Sequence, residues 1–174
     1  YIISQKGEKC ANRLDNDCVE IKKQEKLGVA LHPVRERNGK TEYLIHQRLK
    51  EPFYGWYGSH SGKIRWGENP LDTAKREFKE ETGLTGDFEL KGISHIMHVH
   101  EDGRFLEDKY FWSFLVNNLR GELMEEVEEG KNIWMTEEEY REKEHTFGDF
   151  DEIAEVLERE RLVYVERKWI VDSY

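Results

Sequence analysis

Apolar residues gather into short strand-like runs along the stretch from Leu27 to about Leu49. The runs LGVALHPV (27–34) and TEYLIHQRL (41–49) read as strands, and the Asn38-Gly39 pair between them is a strong hairpin signal. EPFYGWYGSHSG (51–62) is rich in glycine and aromatics and poor in helix formers, which predicts a loop or short strand. The pattern then lengthens to a helical period. NPLDTAKREFKEETGL (69–84) has Asn69 as N-cap, Pro70 at the first helical position, Asp72 near the positive end and Gly83 at the stop. Leu71, Ala74 and Phe78 share one arc of that helix, the arc expected to bury against a sheet.

Two long strand-like runs follow, FELKGISHIMHVHEDG and RFLEDKYFWSFLVNNL, joined at Asp102-Gly103. GELMEEVEEGKN is an acidic connection into IWM (133–135). A short helix capped by Thr136 is predicted in TEEEYREKE, and a better one in DFDEIAEVLERE, where Ile153, Val156 and Leu157 have helical spacing. LVYVERKWIV closes as a strand. Strands interleaved with a central and a late helix predict a mixed sheet covered by helices, an α/β class. Residues 1–26 are polar and weakly patterned, an extension that is either a strand or hairpin or a flexible lead-in; 27–174 shows no internal boundary and reads as one domain.

Composition narrows the partners. The 174 residues carry 27 Lys and Arg against 37 Asp and Glu, a formal charge of −10. That disfavours nonspecific binding to DNA, RNA or an anionic membrane, which calls for a basic stripe, and an anionic ligand needs local cations. No apolar run has the length of a membrane span or the core of a signal peptide, and the two cysteines, Cys10 and Cys18, are not in a CxxC pair. Two free thiols in a reducing compartment, and a cytoplasmic chain, are the expectation.

The candidate chemistry lies on the central helix. Each residue advances about 100°, so Glu77, Glu80 and Glu81 fall along one edge of the buried seam. Three half-desolvated carboxylates repel one another and would take up protons unless cations separate them. Mg²⁺ prefers hard oxygen ligands and often completes its shell with phosphate oxygens, which points to hydrolysis of a phosphoric anhydride. A carboxylate not used as a ligand can take the proton of the attacking water.

The stretch 62–84 resembles the signature of the Nudix hydrolases: a glycine, a Glu after five residues, then after seven more Arg-Glu-apolar-any-Glu-Glu-any-Gly-apolar. Gly62, Glu68, Arg76, Glu77, Phe78, Glu80, Glu81, Gly83 and Leu84 fill it without a departure. The resemblance implies an α/β/α sandwich with a mixed central sheet and a catalytic loop–helix–loop. It also implies Mg²⁺ or Mn²⁺ as cofactor, and cleavage of a diphosphate bond in a nucleoside triphosphate or other nucleoside-diphosphate-linked substrate. Glu80 and Glu81 would be metal ligands, Glu77 a ligand or the general base, and Arg76 would orient the carboxylates. Glu68 would steady the loop–helix geometry, and Gly62 and Gly83 would allow tight turns. Ser61 stands where many members have a glycine whose carbonyl touches metal. Glu129 is the best counterpart of a further metal-binding Glu, with Glu126 and Glu128 as rivals. A noncatalytic nucleotide sensor on the same fold is the alternative, and members are often dimers, so a homodimer is open.

Substrate contacts are expected from Trp56 and Tyr57 near the pocket mouth, and phosphate contacts from Arg48, Lys63 and Arg65. Most of Trp56, Tyr57, Trp66, Phe111, Trp112 and Trp134 are expected in the core. His95, His98 and His100 lie along one strand and are read as facing substrate or water. No proline follows the helix, and Glu101 and Asp102 stand where dinucleoside-polyphosphate members often carry a tyrosine; both features favour a nucleoside triphosphate or an atypical substrate.

Overall fold

The computed structural model describes residues 24–51, 53–148 and 150–171, with Glu152 described in its backbone alone. Cys10, Cys18 and nearly all of the expected 1–26 extension lie outside the described residues. Strands β1 (Lys26–Arg37) and β2 (Lys40–Arg48) form the predicted hairpin. Asn38 and Gly39 take φ of 52° and 73°, the pair of left-handed residues that matches a two-residue turn to strand twist. The aromatic-rich stretch becomes a loop with two short strands, β3 (Tyr57–Gly58) on β2 and β4 (His60–Lys63) on β1.

Helix α1 spans Pro70–Thr82. Its caps are those expected: the Asn69 side chain accepts from the Asp72 N–H, and Gly83, at φ 74°, returns its N–H to the Lys79 carbonyl. After it come β5 (Leu84–His100), β6 (Phe105–Gly121), β7 (Glu126–Val127), β8 (Gly130–Met135), α2 (Glu137–Arg141), α3 (Phe150–Leu157) and β9 (Val163–Val171). The acidic connection thus contains a small hairpin, β7–β8, not foreseen from its composition.

The sheet runs β7-β8-β2-β1-β6-β5-β9. β1 is its pivot. Residues 26–33 lie parallel to β6, with β4 antiparallel on the other side, and 34–37 turn to β2. β5 and β9 are also parallel, and the remaining pairs are antiparallel, which makes the sheet mixed. α1 lays the fully buried Ala74 and Phe78 on Val29, Leu31, Phe114 and Val116. A second cluster joins Ile45 and Met135 to Tyr140, Phe150 and Ile153 of the two later helices. α1 packs on β1, β4 and β5.

One expected core residue is corrected. Leu71 shares the arc of Phe78 but sits in the first turn of the helix, and it is 38% exposed. Thr73 and Thr82 are buried instead, each with its hydroxyl satisfied: Thr73 donates to Glu68 and Thr82 to the Phe78 carbonyl.

The reason for Gly62 also differs from the expected turn. It sits inside β4, opposite Val29, and what it permits is close approach. A Cβ there would lie 2.0 Å from Cγ and 2.8 Å from Cβ of Glu77. Gly62→Ala therefore pushes α1 off β4, with a loss of about 1–3 kcal/mol in urea unfolding. An unchanged unfolding midpoint would show that α1 does not depend on this contact.

Candidate active site

Arg76 projects from the middle of α1 into a nest of acceptors. Its Nε donates to Glu68 Oε1 at 2.7 Å and its Nη2 to Glu68 Oε2 at 2.8 Å, a bidentate pair. Nη1 donates to Glu77 at 2.6 Å and Glu80 at 3.1 Å, while Nη2 also reaches the Lys63 carbonyl at 3.3 Å. One guanidinium so ties the loop, β4 and two helix carboxylates together. Glu68 closes the loop further by accepting from the Arg65 N–H and the Thr73 hydroxyl. Its bonds to Arg76 hold the Glu68 carboxyl down at about 2, and the same carboxylates push the Arg76 guanidinium further up.

Glu81 lies on the other side of this arrangement and accepts no donor among the described residues. Burial pushes its carboxyl up to about 8, and the charges of Glu77, Glu129 and Glu80 push the same way. Glu129, at the β7–β8 turn, is the late glutamate whose charge bears on Glu81; Glu126 is engaged with Lys131 at 2.7 Å. Lys50 at 3.0 Å and Arg48 at 3.9 Å flank Glu129. The carboxylates do not close into a ready cage: among the described residues no three metal-type side chains converge. Arg76 draws Glu77 and Glu80 toward itself and Lys50 pairs with Glu129, leaving Glu81 with no hydrogen-bond or ion-pair partner for its side chain among the described residues. A hard cation suits that donor set, since all four groups offer oxygen.

Two residues that sequence reasoning missed hold the site from behind. Asn132, buried in β8, donates through Nδ2 to the Glu81 carbonyl at 2.8 Å and the Met124 carbonyl at 2.7 Å. Because two carbonyls consume its amide hydrogens, its Oδ1 must be an acceptor, and it receives His60 Nε2 at 2.8 Å. His46 Nδ1 lies 3.4 Å from the same oxygen. Burial lowers the His60 imidazole to about 4, so it is neutral and donates through Nε2. This buried hub fixes the end of α1 to the hairpin that carries Glu129. The signal in the sequence is an asparagine, a residue disfavoured in strands, directly before the apolar run Ile133-Trp134-Met135.

The other expected site residues fall as follows. Ser61 is exposed on β4 and pairs regularly with Ala30, so its side chain leaves the strand undisturbed. Lys63 closes that strand, exposed, with its carbonyl on Arg76. Arg65 Nη2 stands 3.6 Å from Glu80. Trp56 belongs to an aromatic group with Phe53, Phe147 and His145, the last stacked on it at 5.6 Å between centroids. That group adjoins the Glu129 turn, since Arg48 N–H donates to the Trp56 carbonyl and Leu49 N–H to that of Glu129. Tyr57 packs on the second core cluster, as Trp112 and Trp134 do on the first. Trp66 does not join the core: it is fully exposed in the Arg65–Glu68 turn.

The strand histidines divide. His95 is held between Asp108 at 2.7 Å and Glu166 at 3.2 Å and stacks on Tyr110, away from the glutamates of α1. His98 faces Glu107, and His100 caps the turn at Asp102. The three are occupied by residues of β6, β9 and the β5–β6 turn.

Comparison with known proteins agrees with this geometry. The family model described as NUDIX domain matches residues 26–156. An uncharacterized Nudix hydrolase of Bacillus subtilis (strain 168), YvcI, is 32% identical over 88 residues, 49% of this chain and 54% of that relative. The match thus spans about half the length of the relative. The crystal structure of a mutator MutT protein from Bacillus halodurans superposes with a TM-score of 0.71 at 29% identity, covering 84% of this chain and 92% of that one. The NUDIX domain of Shewanella oneidensis NrtR, solved with ADP ribose, has a TM-score of 0.66 at 16% identity over 87% and 97% of the two chains, a likeness of fold. The matched region runs from the first strand of the sheet through α3 and includes the whole of the loop–helix–loop: this chain belongs to the NUDIX domain family.

Proposed function

We propose that the chain is a pyrophosphohydrolase that cleaves a phosphoric anhydride bond in a nucleoside triphosphate or other nucleoside-diphosphate-linked substrate, using Mg²⁺ or Mn²⁺. The observation that carries this reading is Glu81, a carboxyl pushed up to about 8 by burial and by Glu77, Glu129 and Glu80, with no hydrogen-bond donor to relieve it among the described residues. Glu77, Glu80, Glu81 and Glu129, with the Ser61 carbonyl, are the groups that would hold the cation. When bound, the cation neutralises phosphate charge and lowers the cost of bringing two anions together. The activity is assigned to residues 27–174, with 1–26 as an extension.

The chain's own groups do the rest. Arg76 keeps Glu77 and Glu80 oriented, and Asn132 holds the Glu81 end of the helix against the Glu129 hairpin. Whichever of Glu77 and Glu80 is not engaged as a ligand takes the proton of the attacking water as the water oxygen bonds to phosphorus and the bridging P–O bond breaks; Glu80, with its side chain 52% exposed, has access to water. Arg48 and Lys50 beside Glu129, and Lys63 and Arg65 along the loop, supply the local cations that a −10 chain needs to admit a polyphosphate. Trp56 and the aromatics around it offer flat faces to a base, and Tyr57, the next residue and the first of β3, is the second candidate for substrate contact.

Release of phosphate or pyrophosphate from a panel of nucleoside di- and triphosphates and nucleoside-diphosphate sugars, with Mg²⁺ or Mn²⁺, tests the reading. Turnover by the wild type and at least a hundredfold lower kcat in folded Glu80→Gln or Glu81→Gln is the expected pattern. Tight nucleotide binding without turnover across the panel would instead make the protein a sensor.

Stability gives a second, independent check. Without divalent cations, folded Glu81 keeps its proton up to about pH 8, whereas its ordinary value is 4.5. Between these values the folded state binds more protons than the unfolded state, so stability falls as pH rises. Glu81→Gln removes that slope and stabilises the cation-free protein by about 1–3 kcal/mol near the top of the window. Added Mg²⁺ reverses the order, raising the unfolding midpoint of the wild type more than that of the variant. Urea unfolding at several pH values, with EDTA and with Mg²⁺, measures both; identical slopes for the two proteins would remove the argument.

A further inference from the structure

β9 ends the sheet. It pairs with β5 along all nine of its residues, and among the described residues nothing pairs with its outer edge. A flat edge of this length is a template for another strand, and proteins usually blunt such edges with proline, bulges or unbalanced charge. Here the strand is VYVERKWIV, free of proline and glycine, with no register shift against β5. Its ends are apolar and exposed on both faces: Tyr164 and Ile170 on one, Trp169 on the other, with Ile170 71% exposed. Its charges sit together in the centre.

Those charges are ordered in a way that fits one kind of occupant. In an antiparallel pair made by a two-fold axis normal to the sheet, opposite residues lie on the same face, so they have the same parity in sequence. Of the registers this allows, the one centred on Arg167 brings all nine residues into pairs. It sets Glu166 against Lys168 of the second copy and Lys168 against its Glu166. It also sets Tyr164 against Ile170, Val165 against Trp169 and Val163 against Val171, apolar against apolar. Moving the centre by one residue either way opposes Glu166 to itself or Lys168 to itself.

The central Arg167 would meet its own copy, but its charge is already answered: Nη2 donates to Glu155 of α3 at 2.7 Å, and its side chain is 17% exposed. Lys168 is the complementary case. Among the described residues it makes no ion pair, and its ammonium stands 5.9 Å from the Phe105 ring. Glu166 reaches His95 and Tyr164 through Oε2 at 3.2 Å each, and its side chain still faces solvent.

We propose that β9 is a homodimer interface, in which two copies pair antiparallel about Arg167 and continue one sheet through both molecules. Glu166 and Lys168 set the register through two reciprocal ion pairs, and the six outer apolar pairs are buried between the copies. Neither residue belongs to the glutamate site, so this interface stands or falls apart from the proposed activity.

Charge exchange tests it. By sedimentation velocity or light scattering on the full chain at micromolar concentration, the wild type is expected to be a dimer. Glu166→Lys and Lys168→Glu each place like charges across the strands and weaken association by about tenfold or more. The double variant carrying both exchanges restores the opposite pairing and the dimer. Circular dichroism of each variant verifies folding. A monomeric wild type, a dimer insensitive to either exchange, or single variants that dissociate without rescue in the double variant would each overturn the proposal.

Discussion

The Arg76 guanidinium is the constraint on which the site's architecture depends. It pairs in two-point fashion with Glu68, bonds Glu77 and Glu80, and reaches the Lys63 carbonyl at 3.3 Å. A lysine could not do this, because a single ammonium lacks the planar fork that serves acceptors in several directions at once. The result is that the loop before α1 and the helix itself behave as one piece. Gly62 lets the piece seat on β4, with no room for a methyl group between the strand and Glu77. Charge organisation and backbone packing therefore serve each other: the same approach that buries Phe78 brings Glu77 under Arg76.

That organisation is incomplete in an informative way. Arg76 bonds Glu68, Glu77 and Glu80, but among the described residues no donor reaches the Glu81 side chain, and the charges of Glu77, Glu129 and Glu80 outweigh the pull of Arg76 on it. A structural ion network tends to balance each charge it buries, because an unpaired buried charge is costly. Here the cost is held in place by the Asn132 hub, which pins the Glu81 carbonyl and the Met124 carbonyl together. A fold that uses a buried, fully satisfied amide to keep a repulsive cluster assembled is arranged for something outside itself to enter.

Much of this was legible in the residues, and the parts that were not share a cause. The α1 caps, the Asn38-Gly39 hairpin, the long β5 and β6 and the cap at Thr136 rest on short-range rules, and each forms where the pattern places it. Leu71 failed because angular position on a helix says which side faces the sheet but not how well each turn is covered. Gly62 was recognised as necessary for the wrong reason, since local sequence cannot distinguish a turn glycine from one required by a neighbour fifteen residues away (77 − 62 = 15). Asn132 and His60 were invisible because their importance lies in long-range partners: the separation from Asn132 is 51 residues to Glu81 and 72 to His60. Within the candidate site the charged ring was readable, and the neutral network behind it was not.

The two ends of the sheet also differ in a manner that local patterning does not express. β7 is two residues long and turns at once into β8, so that edge is blunted by brevity, and its acidic turn carries Glu129 toward Glu81. β9 is nine residues long and regular, with apolar side chains at both ends and one acid and one base on its outer-facing row beside His95. Edge strands that only avoid aggregation can do so with charge of a single sign, because any approaching copy is then repelled in every register. Glu166 and Lys168 do not meet that requirement, since they attract in one register and repel in its neighbours. Opposite signs two positions apart are a device for choosing among alignments, which has value only where a strand is to be aligned.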